Sequence, residues 1–204
     1  MLKIKQMIKK YGLLVVLINL VFITVVSGQD NVLISGNMDF LKQEKVFNVV
    51  FNYESMAVGV FRTEAEYVQK KVTELNNSET GKGDKWLEKW NFKKSSDFPR
   101  TFLKSLNKKI SKAEMKADTA LLNAKYTFFI KPYYLEEGWD VVINSVPAIV
   151  RMQILVCETA NSNVQVAEFR ITGEFSGGGQ TFGGMIAFDE AGKAFGKLLM
   201  KSLK

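Results

Sequence analysis

Three runs in the second half of this chain alternate apolar and polar side chains, and that period of two restricts it to folds built on an extended sheet. Tyr126, Phe128 and Ile130 share one face of the stretch from Tyr126 to Tyr134. Ala148, Val150, Met152, Ile154 and Val156 share one face of the stretch from Ala148 to Glu158, while Arg151 and Gln153 give its other face a polar centre. Ala167, Phe169 and Ile171 repeat the pattern between Val164 and Glu174. The polar link Thr159 to Asn163 makes the last two runs a hairpin. Pro132 has no N–H for a ladder, so the first run is expected to end at a sheet edge or a bulge. Upstream, Phe47, Val49, Phe51 and Tyr53 alternate in the same way, and Val32 to Ser35 is a shorter candidate strand.

Between these runs the period changes to that of a helix. Thr63 with Glu66 three residues on reads as a capping box, and Ala65, Val68, Val72 and Leu75 form the stripe such a helix would bury. Trp86 and Trp90 stand four apart and would share one face of a short helix, among Lys85, Lys89, Lys93 and Lys94. Pro99 suits the first turn of a further helix, whose apolar positions Phe102, Leu103, Leu106, Ile110, Ala113 and Ala117 carry it to about Leu121. A last helix has Phe188, Ala191, Phe195, Leu198 and Leu199 as its stripe, with Gly192 and Gly196 placed to let it approach the sheet closely. Six glycines between Gly173 and Gly184 mark a turned or mobile loop before it.

The first 28 residues read as an export leader. Lys3, Lys5, Lys9 and Lys10 precede an apolar run from Leu13 to Val26, and Val26 and Gly28 suit cleavage before Gln29. The run is short of the roughly 20 residues a membrane-spanning helix needs. No cysteine stands near the cleavage point, so a lipoprotein anchor is not expected, and membrane contact would come only through an uncleaved leader. Removal of the first 28 of 204 residues leaves one domain, residues 29–204. The leader takes four of the 28 basic residues and no acid, so the remainder carries 24 basic against 21 acidic groups. That small excess argues against nucleic acid as a partner.

The residue types present exclude several chemistries. With no histidine, a Ser-His-Asp triad, a Cys-His dyad and a His-based zinc site are all impossible, and no cofactor or metal is expected. Cys157 is the only cysteine, so no intramolecular disulfide forms, and within a strand it reads as a packed thiol. Ser105 and Lys108 match a Ser-x-x-Lys pattern, but the companion motifs are absent. Glu136, Glu137 and Asp140 cluster at a turn around Gly138, and read as solvated turn residues before they read as a paired-carboxylate site. The glycine-rich stretch lacks both the P-loop ending and Rossmann spacing.

Several segments resemble, in order, a family of uncharacterised exported bacterial proteins. In the first half they are Phe51-Asn-Tyr-Glu-Ser-Met56, Glu66-Tyr-Val68 and Gly81-Lys-Gly-Asp-Lys-Trp86 followed by Trp90. In the second half they are Asn123-Ala-Lys-Tyr126, Leu135-Glu-Glu-Gly-Trp139, Val146-Pro-Ala148, Val156-Cys-Glu-Thr-Ala160 and Ala191-Gly-Lys193. The second half is also similar, in element order and in the glycines before the last helix, to the amino-terminal α/β domain of the Tol-system protein TolB and related envelope assembly proteins. These resemblances imply an envelope location and a binding role, and supply no catalytic residues.

The sequence therefore predicts a single α/β (α+β) domain with a mixed, mainly antiparallel sheet of four or five strands and about three helices on one face, and the resemblance implies a fold like that of the TolB amino-terminal domain. The expected function is a periplasmic or secreted binding and assembly module that contacts another envelope protein. Gly177, Gly178, Gly179, Gln180 and Phe182 of the glycine-rich loop, with Trp86 and Trp90, are its partner-contact candidates. A small-ligand carrier with a pocket between the sheet and the Trp-containing segment is the alternative, and a carboxylate hydrolase of glycans or peptides is a weaker one. Mass spectrometry of the native protein should find an amino terminus at Gln29; an intact Met1 in the membrane fraction would instead mean an anchored protein.

Overall fold

The hairpin anticipated from the period of two forms the centre of the molecule. The computed structural model describes residues 31–141, 144–176 and 183–203, with backbone alone at 139–141 and 144–145. The segment expected to be a leader and the candidates Gly177, Gly178, Gly179, Gln180 and Phe182 lie outside the described residues. Strands β8 (Ala148–Glu158) and β9 (Asn161–Phe175) pair antiparallel from Ala148↔Phe175 to Glu158↔Asn161. Only Thr159 and Ala160 turn the chain, so the link expected to reach Asn163 is mostly strand. Ladder bonds form there with no apolar alternation to announce them.

Strand β5 (Tyr126–Glu136) adds antiparallel to the other edge of β8. Its register slips between Pro132 and Tyr134, so Pro132 sits at a bulge in a central strand and Leu135 returns to the inner face. Strands β2 (Val46–Phe51) and β3 (Ala57–Val58) both run parallel to β5, and β4 (Lys116–Asp118) runs parallel to β2. Strand β1 (Val32–Gly36) closes the opposite edge on β9. The result is a mixed seven-stranded sheet, ordered β1-β9-β8-β5-β2-β4 with β3 beside β5, in one α+β domain. Its longest pairings are antiparallel. The count exceeds the four or five expected because β3 and β4 are too short for any period to show. A separate ribbon joins β6 (Trp139–Val141) to β7 (Asn144–Val146).

Four main helices accompany the sheet: α1 (Glu64–Ser78), α2 (Lys82–Phe92), α3 (Phe98–Ile110) and α4 (Gly183–Lys201). The first three, with β3, fill the long crossover that joins the parallel strands β2 and β4. Thr63 caps α1 as expected, its hydroxyl accepting from the Glu66 N–H at 3.2 Å. The Glu66 carboxylate, however, accepts from the Arg62 N–H, one residue before the cap. The stripe on α1 is only half-buried, and Ala65 is exposed, because α1 packs on α2 at the periphery of the domain.

Helix α3 stops eleven residues before the expected Leu121. Glu114 takes a left-handed conformation (φ 61°), the Met115 N–H reaches the Ile110 carbonyl and the Glu114 N–H the Ser111 carbonyl. That is a Schellman stop with glutamate in the place usually held by glycine, so the sequence carries no stop signal. Ala117, which continued the helical period, is buried in β4 instead. There the Asn107 side chain donates to its carbonyl and accepts from its N–H, both at 2.8 Å.

Glycine sets how closely the layers meet. A Cβ at Gly173 of β9 would lie 2.0 Å from the Ala187 carbonyl oxygen and 2.5 Å from the Ala191 nitrogen of α4. Gly192 and Gly196 serve a different neighbour from the one expected: a Cβ at Gly192 would lie 2.3 Å from the Phe102 carbonyl oxygen, and one at Gly196 2.6 Å from the Lys109 Cβ, both on α3. The small residues thus bring α4 against α3 with two glycines and against the sheet with Gly173, Ala187 and Ala191.

Into this arrangement α4 inserts Phe188 and Phe195. Phe188 stacks on Phe98 with centroids 4.4 Å apart, and Phe195 meets Phe128 at 5.3 Å and Phe169 at 5.2 Å. Each fully buried ring of this kind contributes about 1.5–3 kcal/mol of burial free energy. Gly173→Ala and Gly192→Ala should each destabilise the domain by about 3 kcal/mol or more, since backbone blocks the added methyl. Gly81→Ala, at φ 79° with open space around it, should cost only about 1 kcal/mol, the strain of left-handed backbone. Urea melts of the three variants test this order, and equal losses would contradict it.

Candidate functional site

Helices α2 and α3 are one rod interrupted at Lys93–Asp97, where the chain widens into a π turn and the Phe98 N–H bonds to the Lys93 carbonyl. Proline explains the interruption. In a regular α-helix Pro99 would leave the Ser95 carbonyl without a donor and press its ring against it. Widening the turn relieves that contact, a recognised way of opening backbone at functional positions. Pro99 therefore lies in the first turn of α3, as its position suggested, but that helix continues directly from α2 through the π turn.

Two consecutive lysines at the start of the π turn are tied to different parts of the chain. Lys93 Nζ lies 2.7 Å from Glu137 Oε1, in the turn after β5, and Glu137 Oε2 also accepts from the Tyr67 hydroxyl at 3.2 Å. Lys94 pairs with Glu64 at the start of α1, and Glu64 Oε1 accepts from the Trp90 indole N–H at 2.6 Å. Trp90 lies between the two ion pairs, stacked on Trp86 at 5.7 Å and met edge-on by Tyr67 at 5.3 Å.

The partner-contact candidates Trp86 and Trp90 thus share a helix face, as expected. Trp90 is 1% exposed with its N–H used internally, and Trp86 is half-buried. Of the three clustered acids, Glu137 is held by Tyr67 and Lys93, while Glu136 accepts from the Gly138 N–H at 3.1 Å. The side chain of Asp140 lies outside the described residues. Ser105 of the Ser-x-x-Lys match is buried between helices, where its hydroxyl donates to Asp189. Burial would raise the Asp189 carboxyl, but hydrogen bonds from Lys193 and Ser105 outweigh it and hold the group below its ordinary value. Cys157 is buried, and desolvation pushes its thiol up, with the charge of Lys131 only partly opposing.

Beside the π turn runs a groove of about 780 Å³, between the end of β2 and the α2–α3 rod. Phe51, Pro99 and Leu103 give it an apolar wall, and Tyr53, Asn91, Lys94, Ser95, Ser96, Arg100 and Thr119 supply polar groups. Among the described residues only two buried side-chain polar atoms have no hydrogen-bond partner, Asn48 Oδ1 and the Tyr53 hydroxyl, and Tyr53 lines this groove. Sequence reasoning missed Tyr53 because it read only as the last inward residue of a strand. The signal available was the residue pair Ser95-Ser96 ahead of Asp97, Phe98 and Pro99, polar positions inside a helical passage that a proline must distort.

Burial, reinforced by the charge of Glu64, pushes the Tyr53 phenol far above its ordinary value. Burial first, and then Glu137, does the same for Tyr67. A raised folded-state value means that the associated stability is whole below about pH 10, where unfolded phenols are also neutral, and is lost as pH rises beyond it. In an alkaline titration the phenolates of Tyr53 and Tyr67 should appear only with cooperative unfolding, and a Tyr53→Phe, Tyr67→Phe double variant should lose that late step. All tyrosines ionising together near pH 10 in a folded chain would contradict this.

No protein-family model matches the sequence, and no curated protein matches it. Solved structures that align with it at low similarity include two forms of one protein. One is the PelC dodecamer from Paraburkholderia phytofirmans, 9% identical, with a TM-score of 0.40 over 80% of this chain and 96% of that one. The other is a single-substitution variant of the same dodecamer in a different crystal form, 13% identical, with a TM-score of 0.39 over 81% of this chain and 96% of that one. A likeness of this degree carries no argument about what the chain does.

Proposed function

We propose that this chain is an exported binding protein of the cell envelope, and that it holds a small ligand in the groove beside the π turn without transforming it. The export half of the reading rests on the basic and apolar pattern of the first 28 residues. The binding half rests on one observation. The buried hydroxyl of Tyr53, unpartnered among the described residues, belongs to a residue lining a groove whose Asn91, Ser96 and Thr119 side chains also make no hydrogen bond among the described residues. Buried polar groups are otherwise nearly always satisfied, and an open groove lined with unused donors is the usual form of a recognition site.

The carboxylates best placed for chemistry support binding over hydrolysis. Glu64 and Glu137 each accept two bonds from lysine, tryptophan or tyrosine, so both are engaged within the protein, and neither lines the groove. The expected assembly role has its candidate surface in the segment from Gly177 to Phe182, outside the described residues; the ligand-carrier alternative is the one the groove favours. Native mass spectrometry of the exported protein should show a bound small molecule that Ser96→Trp removes by filling the groove. A bare chain in the wild type, together with one dominant co-purifying protein, would instead support the assembly module.

A further inference from the structure

We infer that the groove recognises an amphipathic monoanion, a carboxylate carried on an acyl chain or an aromatic ring. This rests on the proposal that the groove is a ligand site, and adds the chemical class of its occupant.

The charges of the lining decide the sign. Lys94 and Arg100 line the groove and no acidic residue does. Their counter-ions are not lining residues: Glu64 pairs with Lys94, and Asp97 Oδ1 takes one Arg100 nitrogen at 2.6 Å. The Arg100 side chain is 69% exposed, and its guanidinium offers five N–H groups, of which Asp97 engages one nitrogen's. A carboxylate in the groove would meet that guanidinium in the charge-assisted geometry that arginine favours.

The same pairs limit the size of the charge. Each cation is already balanced by one carboxylate, so the groove has donors to spare but little net positive charge. Glu64 in particular sets a nearby negative field that a dianion such as a phosphate monoester would feel twice over. A monoanion gains the hydrogen bonds at half that cost.

Neutral donors complete the polar half. The Tyr53 hydroxyl stays protonated, because burial and the charge of Glu64 both oppose ionisation. It has no acceptor among the described residues, but it is buried beneath the groove surface and is not counted among the donors that face a ligand. The Ser96 and Thr119 hydroxyls and the Asn91 amide, unused among the described residues, can donate there. The same lining includes Phe51 and Leu103, partly exposed apolar surface that an anion alone would leave wet. Covering them contributes about 25 cal/mol per Å² of apolar area removed from water. An occupant with one charged end and an apolar body satisfies both walls at once.

Equilibrium dialysis or calorimetry on the full chain tests this with decanoate, decan-1-ol and inorganic phosphate as probes. Decanoate should bind about tenfold or more tightly than decan-1-ol, the worth of one charge-assisted hydrogen bond, and phosphate alone should bind no better than the alcohol. Arg100→Gln, at an exposed position that will not disturb folding, should collapse the preference for decanoate and leave the affinity for decan-1-ol unchanged. Equal binding of decanoate and decan-1-ol would overturn the anionic assignment while leaving the groove a ligand site. Decanoate binding that Arg100→Gln does not alter would overturn it as well, by placing the carboxylate elsewhere. If neither probe shifts the backbone resonances of Ser96 and Thr119, both the assignment and the groove-binding reading fail.

Discussion

The contact of α4 with β9 and α3 has no side chain in the way, and most of the domain is arranged around that approach. Backbone lies where a Cβ of Gly173 or Gly192 would stand, so the helix sits deeper than alanine or leucine would permit. Depth is what lets Phe188 and Phe195 reach across the core to rings on α3, β5 and β9 at once. It also puts Asp189 within reach of the buried Ser105 hydroxyl on α3, while Lys193, one turn on, balances the charge at 2.7 Å. A polar pair so deep between helices is tolerable because every charged member has a partner. Its effect is to fix the register of α4 against α3, which ring stacking alone leaves freer.

From that fixed helix pair the position of the π turn follows. Phe98 is anchored on Phe188, and Pro99 comes next, so the distortion that proline requires falls just ahead of an immobile residue. The widening is taken up on the other side, toward Ser95 and Ser96. The two lysines that begin the turn then act as guy-ropes in opposite directions, one to the turn after β5 and one to the start of α1. Both ion pairs are partly shielded, with side-chain exposures between 18% and 28%, which places them above the near-zero worth of open surface pairs. A helix interruption that would otherwise flex is thereby held to one shape, and a groove of fixed shape costs less to fill.

How much of this was legible in the sequence depended on whether a residue acts through its own period or through a distant neighbour. The strands β2, β5, β8 and β9 announced themselves, because one apolar face alternating over many residues has a single economical explanation. So did the shared face of Trp86 and Trp90 and the bulge at Pro132. The stop at Glu114 was hidden because its usual marker is glycine, and the partner of Gly192 and Gly196 was misassigned because small residues say that something comes close without saying what. The candidate site was the least legible part. Tyr53 ended an apolar period, Arg100 resembled any exposed helix arginine, and Thr119 fell inside a helix that does not extend that far. Only the crossover between β2 and β4 brings these three to one groove.

The distribution of acceptors bears on what kind of site such a groove can be. Carboxylates in this domain are placed behind their cations: Glu64 behind Lys94, Asp97 behind Arg100, Glu137 behind Lys93, Asp189 behind Lys193. Each arrangement spends an acceptor within the protein. A hydrolase needs the reverse, an acid or base whose proton is free to move at a site that substrate can reach. The chain also lacks histidine, the side chain whose unperturbed pKa lies nearest neutral pH. What lines the groove is Lys94, Arg100 and neutral polar side chains together with Phe51, Pro99 and Leu103, and a lining of that kind is what the proposed binding of an anion with an apolar body would use.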